Sequence, residues 1–397
     1  MIKLTINDQT VEVEQGSTVL QAAKKLGIKV PTLCDHPQLH PYGACRLCLV
    51  EVEGARTLMP SCTLAATENM VVHTNTKRVA EARKFVLSML FSERNHFCMY
   101  CQATDGDCEL QNAAYDEDMN HWPITPAYLP FAVDASHPDF ILDNNRCILC
   151  RRCVRACGEL VGNFTLGFEE RGSASFLVAD DGLPLGESSC ISCGNCVQIC
   201  PTGALIDRRS MYQGRLTDLE HKPSVCMECS LGCERDVLVR DSRLVRLDGN
   251  VDGDFNAGLL CEKGRYTPLN AKGKRIQKPM LRKDGSLQEV SFEEALKVLS
   301  EQFKKAASVS ASISARQSLE NLAAFSSVMK AAGAEKVHVL NNDPTAWQAL
   351  SYAKDNGAFE ASLESLKEFD LAIVLGADLL NDAWGGHDPE LAAVAAR

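Results

Sequence analysis

No apolar run in this chain of 397 residues approaches the roughly 20 residues needed to span a bilayer. The N-terminal stretch MIKLTINDQT has no apolar leader of the signal-peptide kind. Basic residues are in deficit, 41 against 52 acidic, and the formal net charge of −11 argues against nucleic acid as a partner. No G-x-G-x-x-G follows a strand-like run and no G-x-x-x-x-G-K-[ST] occurs, so neither a Rossmann dinucleotide site nor a P-loop is evident. No Ser/His/Asp or Cys/His constellation stands out for nucleophilic catalysis. These absences describe a cytoplasmic chain, or one peripheral on the cytoplasmic side of a membrane, with no direct membrane insertion and no evident substrate site.

Cysteine is the residue in excess, with 19 in all and none beyond position 261. By length alone the chain should divide into two to four domains. Disulfides would be the ordinary use of so many cysteines, but here they fall in C-x-x-C runs in a large chain without a secretion signal. Joining two cysteines three positions apart is geometrically awkward, whereas offering both thiolates to one metal is easy. The cysteines read as metal ligands.

Residues 2–6 and 10–14 alternate apolar and polar as a hairpin would. A helix follows, with Thr18 as N-cap, Gln21 completing a capping box and Gly27 as the residue just past its end. Strand, strand, helix is how a ubiquitin-like β-grasp begins. Cys34, Cys45, Cys48 and Cys62 then follow as C-x10-C-x2-C-x13-C. The plant-type 2Fe–2S pattern has a shorter first gap and a longer last one, and a zinc site is the alternative for these four. His36, beside Cys34, reads as a loop residue. The stretch KRVAEARKFVLSMLFS, 77–92, places Val79, Ala82, Val86 and Met89 on one helical face.

The strongest signals are CILCRRCVRAC, 147–157, and CISCGNCVQICP, 190–201. Each is C-x2-C-x2-C-x3-C, the run of a two-cluster ferredoxin in which the fourth cysteine of each run serves the other cluster. Cys147, Cys150, Cys153 and Cys200 should hold one 4Fe–4S centre, and Cys190, Cys193, Cys196 and Cys157 the other. Pro201 stands where the motif expects it, and Gly158 replaces the second proline. A further group, Cys226, Cys229, Cys233 and Cys261, reads C-x2-C-x3-C-x27-C and again offers four thiolates. Between them, DVLVRDSRLVRLDG alternates as a hairpin.

Residues 271–397 contain no cysteine. SFEEALKVLSEQFKKAA carries a capping box, Ser291 with Glu294, ahead of a helical apolar stripe. KVHVL and FDLAIVLGADLL read as short strands between helices, the pattern of a parallel α/β unit.

In the order of these motifs, residues 1 to about 270 resemble the large iron–sulfur subunit of respiratory complex I. They equally resemble related subunits of NAD-linked hydrogenases and formate dehydrogenases. The CEKGR group is similar to the N-terminal cluster domain of molybdopterin oxidoreductases, and RIQKPMLRKDGSLQEVSFEEAL to the segment opening their catalytic region. The resemblance implies an α+β multidomain chain: a β-grasp 2Fe–2S domain (1–80), a helix and His/Cys cluster segment (81–125), a two-cluster ferredoxin domain (126–215), a small 4Fe–4S domain (216–270) and a truncated α/β domain (271–397). The several hundred further residues that enclose a pterin are not in this sequence. Lys263, whose counterpart lies between cluster and pterin in the formate dehydrogenases, therefore reads as a surface or packing lysine, and VLGADLL as a structural strand end.

The expected inventory is one 2Fe–2S and four 4Fe–4S clusters, with no molybdopterin and no flavin in this chain. Expected partners are a flavin- and NAD-binding subunit, a small thioredoxin-like 2Fe–2S subunit, and a hydrogenase or formate dehydrogenase catalytic subunit. A complex I type NADH:quinone oxidoreductase is the first alternative. A self-contained molybdopterin enzyme and a zinc-stabilised scaffold are the others. Residues 271–397 are expected to serve as a docking surface.

One ligand is missing from this inventory. Sixteen cysteines fill four of the five centres, which leaves Cys98, Cys101 and Cys108 without a fourth thiolate. In the family a histidine four residues before the first cysteine completes the group. That position is Arg94 here, which cannot deprotonate to ligate. His96 is the expected fourth ligand, with Asp105, Asp107 or no residue as alternatives.

Overall fold

The computed structural model describes residues 1–340 apart from 105, 230, 254, 271–275 and 315–316, so FDLAIVLGADLL lies outside the described residues. The described residues group into two units, one formed by 1–226 and 233–269 and the other by 227–232 and 270–340. The chain is a mixed α/β protein.

The first unit opens with β1 (Ile2–Ile6) and β2 (Gln9–Val13) paired antiparallel, turning through Asn7 and Asp8, both at positive φ. Helix α1 (Val19–Lys25) follows with the expected caps: the Thr18 hydroxyl accepts from the Gln21 amide, and the Gln21 side chain accepts from the Thr18 amide. Gly27 takes φ +71 just past its end. Strands β3 (Leu49–Val52), β4 (Met59–Pro60) and β5 (Val71–His73) complete a sheet ordered β2-β1-β5-β3-β4, in which only β1 and β5 run parallel. Its core gathers Leu4, Ile6, Val19, Leu20, Val50 and Val72, together with Cys48 and Cys62.

Helix α2 (Lys77–Glu93) forms where expected but turns a different face inward. Val79, Arg83, Leu87 and Phe91 are its buried stripe, and Met89 is 52% exposed. The stripe escaped the apolar pattern because one member is an arginine: Arg83 donates to the Leu49 carbonyl at 2.9 Å and to Glu117 at 3.2 Å. Helix α3 (Glu109–Asp116) packs Leu110, Ala113 and Ala114 into the same core.

Strands β6 (Val133–Asp134), β7 (Phe140–Asp143) and β10 (Leu205–Asp207) form a sheet ordered β10-β7-β6. Within this segment lie the short helices α4 (Arg152–Arg155) and α5 (Asn195–Gln198) and the hairpin of β8 (Leu166–Glu169) with β9 (Phe176–Ala179). Strands β11 (Glu220–Val225), β12 (Glu234–Arg240) and β13 (Arg243–Gly249) make an antiparallel meander. The expected hairpin is β12–β13, turning through Asp241 and Ser242 at positive φ. Helices α6 (Glu262–Arg265) and α7 (Thr267–Asn270) follow.

The second unit carries a hairpin of β14 (Met280–Lys283) and β15 (Ser286–Glu289), then α8 (Phe292–Lys305), β16 (Val309–Ser314), α9 (Leu319–Ala331) and β17 (Ala334–Leu340). The hairpin turns through Asp284 and Gly285, both at positive φ, the Asp-Gly signature of a tight turn. β16 and β17 pair in parallel across α9, as the alternating pattern and KVHVL predict. Ser291 caps α8 by accepting from the Glu294 amide, but Glu294 does not return the bond. Its carboxylate meets Lys283 at 2.8 Å instead, so this cap is half of the expected box.

Candidate metal centres

Among the described residues, no three His, Cys, Asp or Glu side chains converge closely enough to share a single bare ion. The cysteines instead ring small spaces. Cys34, Cys45, Cys48 and Cys62 are all buried, on the long loop before β3 and just past β4. The Cys34 thiolate accepts hydrogen bonds from Cys45 and Cys62 and is held down to about 2, while the two donors are pushed upward. Cys48 falls to about 7, chiefly through its bond with Cys62. Two thiols held toward thiolate by two neighbouring thiol donors, all four buried in one loop region, are a ready set of metal ligands. His36, beside Cys34, is held near 4 by burial and then by Arg152 and Arg155.

The two ferredoxin runs adopt one backbone pattern twice. Leu149 and Arg151 take φ +53 and +64, and their counterparts Ser192 and Gly194 take +57 and +70. In each run this alternation curls the chain so that an amide faces a sulfur: Leu149 donates to Cys147 Sγ and Ser192 to Cys190 Sγ, both at 3.4 Å. One cavity is lined by Cys147, Cys150, Cys153 and Cys200. Another is lined by Cys157, Cys190, Cys193 and Cys196. The fourth cysteine of each run thus stands with the other run, as the motif requires. Burial raises the Cys147 thiol to about 11 and the Cys190 thiol to about 12, so metal must displace their protons.

His96, Cys98, Cys101 and Cys108 line one further cavity, together with Phe91, Thr202 and Gly203. Helix α2 delivers His96, and Cys108 stands at the N-cap of α3. The imidazole packs edge-on against Phe91 at 5.5 Å, and Phe91 stacks on Trp122 at 4.9 Å. Burial drives His96 down to about 4, opposed by a backbone hydrogen bond to Leu90. Its Nε2 is buried with no hydrogen-bond partner. A neutral ring with a bare, buried nitrogen facing three cysteines has the form of a metal-ligating histidine. Arg94 is 1% exposed and turned elsewhere: it donates to the carbonyls of Ser173 and Ser175 and lies 4.3 Å above the Phe131 ring. Asp107 accepts from the amides of Leu216 and Thr217 at 2.7 and 3.1 Å. Asp105 lies outside the described residues.

In the last group, Cys226 and Cys233 are joined by a 2.8 Å backbone bond, and the Cys261 sulfur caps α6 by accepting from the Gly264 amide at 3.4 Å. A Cβ on Gly264 would stand 3.3 Å from Cys226 Sγ and 3.9 Å from Cys261 Sγ, so glycine lets these two thiols approach. Cys229 falls in the short loop, 227–232, that groups with the second unit.

The structure adds residues that spacing does not reveal. Arg155 donates to the carbonyls of His40 and, at 2.5 Å, Cys34, tying the first cysteine loop to α4. Thr202 lines two of the cavities, and a Cβ on Gly203 would sit 2.5 Å from Cys101 Sγ. Arg265, beside Lys263 in the CEKGR run, donates to the Cys193 carbonyl at 2.8 Å and to Asp248 at 2.7 Å. Their only signal in the sequence is that each lies within four positions of a cysteine.

Comparison with known proteins places each segment. Residues 1–77 match a 2Fe-2S iron-sulfur cluster binding domain, 83–122 the NADH-ubiquinone oxidoreductase-G iron-sulfur binding region, and 138–206 the ferredoxin-like domain of NADH-quinone oxidoreductase subunit 3. Residues 219–268 match the molybdopterin oxidoreductase Fe4S4 domain, and 275–384 the molybdopterin oxidoreductase family. An NADH-quinone oxidoreductase subunit of Rhizobium meliloti is 40% identical over 74% of this chain and 34% of its own length. The NADPH-Fe(3+) oxidoreductase subunit alpha of Geobacter sulfurreducens is 34% identical over 71% of this chain and 33% of its own. The chain thus spans about a third of the length of these curated relatives. A chain of an NAD+-reducing [NiFe]-hydrogenase, solved in its H2-reduced state, is 38% identical with a TM-score of 0.51. That match covers 54% of the present chain and 91% of the hydrogenase chain. With cysteine-ringed cavities in its fold and these relatives in its sequence, the chain belongs to the iron–sulfur subunit family shared by complex I and the NAD-linked hydrogenases.

Proposed function

We propose that the chain is the electron-transfer subunit of an NAD(P)-linked oxidoreductase of hydrogenase or formate dehydrogenase type, working in the cytoplasm between a flavin subunit and a second catalytic subunit. The observation that carries this reading is the ferredoxin pair: two four-cysteine cavities with crossed fourth ligands, flanked by the groups around Cys108 and Cys261. The ligands are Cys34, Cys45, Cys48 and Cys62 for a 2Fe–2S cluster. For the 4Fe–4S clusters they are His96 with Cys98, Cys101 and Cys108; Cys147, Cys150, Cys153 and Cys200; Cys157, Cys190, Cys193 and Cys196; and Cys226, Cys229, Cys233 and Cys261. Such clusters, when bound, supply one-electron redox centres whose potentials follow cluster type, nearby charge and exposure. The chain's own residues exclude water, hold the thiolates in place and set the local charge.

The hydrogenase preference is supported by the 91% coverage of the hydrogenase chain, whereas the NADH-quinone oxidoreductase relatives favour a complex I type assembly as the second reading. No helix among the described residues is long and apolar enough to cross a membrane. Co-purification from the native host with mass spectrometry decides between the two. A hydrogenase or formate dehydrogenase subunit supports the first, and membrane-embedded pumping subunits the second. The isolated chain, prepared anaerobically, is expected to contain about 18 irons, no zinc and no molybdenum. It is expected to accept electrons from dithionite without oxidising NADH. NADH oxidation by the chain alone would overturn the assignment.

A further inference from the structure

Because the two ferredoxin runs share one backbone pattern, matched positions that differ in charge are informative. Arg152 stands immediately before Cys153, and Asn195 immediately before Cys196. Each side chain leaves its own run and reaches a residue beside a cysteine of the neighbouring group. Asn195 does so without charge, exchanging two bonds of 3.1 Å with the backbone of Leu260, next to Cys261. Arg152 does so with charge. Its Nη1 and Nη2 donate to the two carboxylate oxygens of Glu109, next to Cys108, at 2.6 and 2.8 Å.

This pair is fastened at both ends to cysteine-bearing backbone. Arg152 Nη1 also donates to the carbonyl of Ile199, which precedes Cys200, at 3.3 Å. The Glu109 amide donates to the carbonyl of Pro201, which follows Cys200, at 2.9 Å. Two charged groups therefore bridge two cysteine-lined cavities. Their burial is unequal: the Arg152 side chain is 4% exposed and that of Glu109 45%. Water screens the carboxylate far more than the guanidinium, so the pair is not electrically neutral toward the cysteine-bearing backbone it joins. A buried cation beside a cluster favours its more negative, reduced state, and a carboxylate opposes it.

We propose that the Arg152–Glu109 ion pair tunes two potentials together. These belong to the centre of Cys147, Cys150, Cys153 and Cys200 and the centre of His96, Cys98, Cys101 and Cys108. The proposal rests on the reading that these cavities hold clusters. Arg152 and Glu109 are positioning residues that touch no reacting atom; they act through charge and through the backbone they join.

Glu109→Gln isolates the charge, because glutamine keeps the volume, retains a bond to Arg152 and leaves the amide bond to Pro201 intact. The measurement is an EPR-monitored redox titration of the full chain, anaerobically prepared, with the centre of Cys157, Cys190, Cys193 and Cys196 as internal reference. Glu109→Gln is expected to move both midpoints upward and Arg152→Gln to move both downward, with the reference centre unmoved. If Arg152→Gln loses a signal through misfolding, Glu109→Gln decides alone. The proposal is overturned if Glu109→Gln keeps every signal and neither midpoint rises, or if all centres, the reference included, shift equally. Absence of the two signals from the wild-type chain would instead remove the cluster reading on which the proposal stands.

Discussion

The Nε2 of His96 is buried without a hydrogen-bond partner in a cavity lined by Cys98, Cys101 and Cys108. A neutral imidazole nitrogen left bare in that position can offer its lone pair to a metal. His96→Ala is expected to give a labile or three-iron centre, read as a changed EPR signal with iron loss confined to that cluster. His96→Cys should keep the cluster but lower its potential, because thiolate adds negative charge where imidazole adds none. An unchanged signal and midpoint in His96→Ala would place the ligand elsewhere. His137 offers a separate test. It bonds Ser192 Oγ at 3.0 Å, stacks on Phe140 and is held near 4 by burial and then by Arg208. Its ordinary value is 6.5, so the unfolded chain takes up a proton that the folded chain refuses between those limits. Stability from this site is complete above about 6.5 and declines as pH falls toward 4. Between pH 7 and 5, His137→Gln should therefore reduce the loss in urea midpoint by an amount equivalent to roughly 2 kcal/mol.

At the scale of elements, close approach of backbone to sulfur decides which substitutions the loops tolerate. Gly203 has no positive φ to explain it; Cys101 Sγ occupies the space a side chain would need. Gly203→Ala must push that sulfur away, because the facing turn is held by Thr202 Oγ1 donating to the Arg146 carbonyl at 2.8 Å. Overpacking of this kind costs about 1–3 kcal/mol. The expected result is a lowered melting temperature, with the Cys98/Cys101/Cys108 signal perturbed before any other. Equal perturbation of all centres would contradict this placement. Elements whose cues are local were legible in the sequence: the Thr18–Gln21 box, Gly27, and the alternating β12–β13 hairpin. The inward face of α2 was not, because Arg83 is buried through partners 34 residues away on each side.

For the whole molecule, all cysteines precede residue 262, whereas 271–397 carries none and includes a β-α-β unit with its own parallel pairing. Deleting 271–397 is expected to leave all five cluster signals in place and to weaken assembly with partner subunits, measured by EPR and by size-exclusion chromatography of the complex. Loss of a cluster signal would show that the tail supports a centre directly.

The cysteine groups were legible in the sequence because thiolates that share a metal need short, regular spacing, and that spacing survives without any knowledge of the fold. Tertiary structure decided what the spacing leaves open. It brought Cys157 beside Cys190 and Cys200 beside Cys147, turned Arg94 onto Ser173 and Ser175, and committed Asp107 to the turn at Leu216. It also bound Arg152 to Glu109 and Arg155 to Cys34, across 43 and 121 positions of chain. A hydrogen bond or an ion pair acts over a few ångströms of space, and only the folded chain sets which distant residues come within that reach.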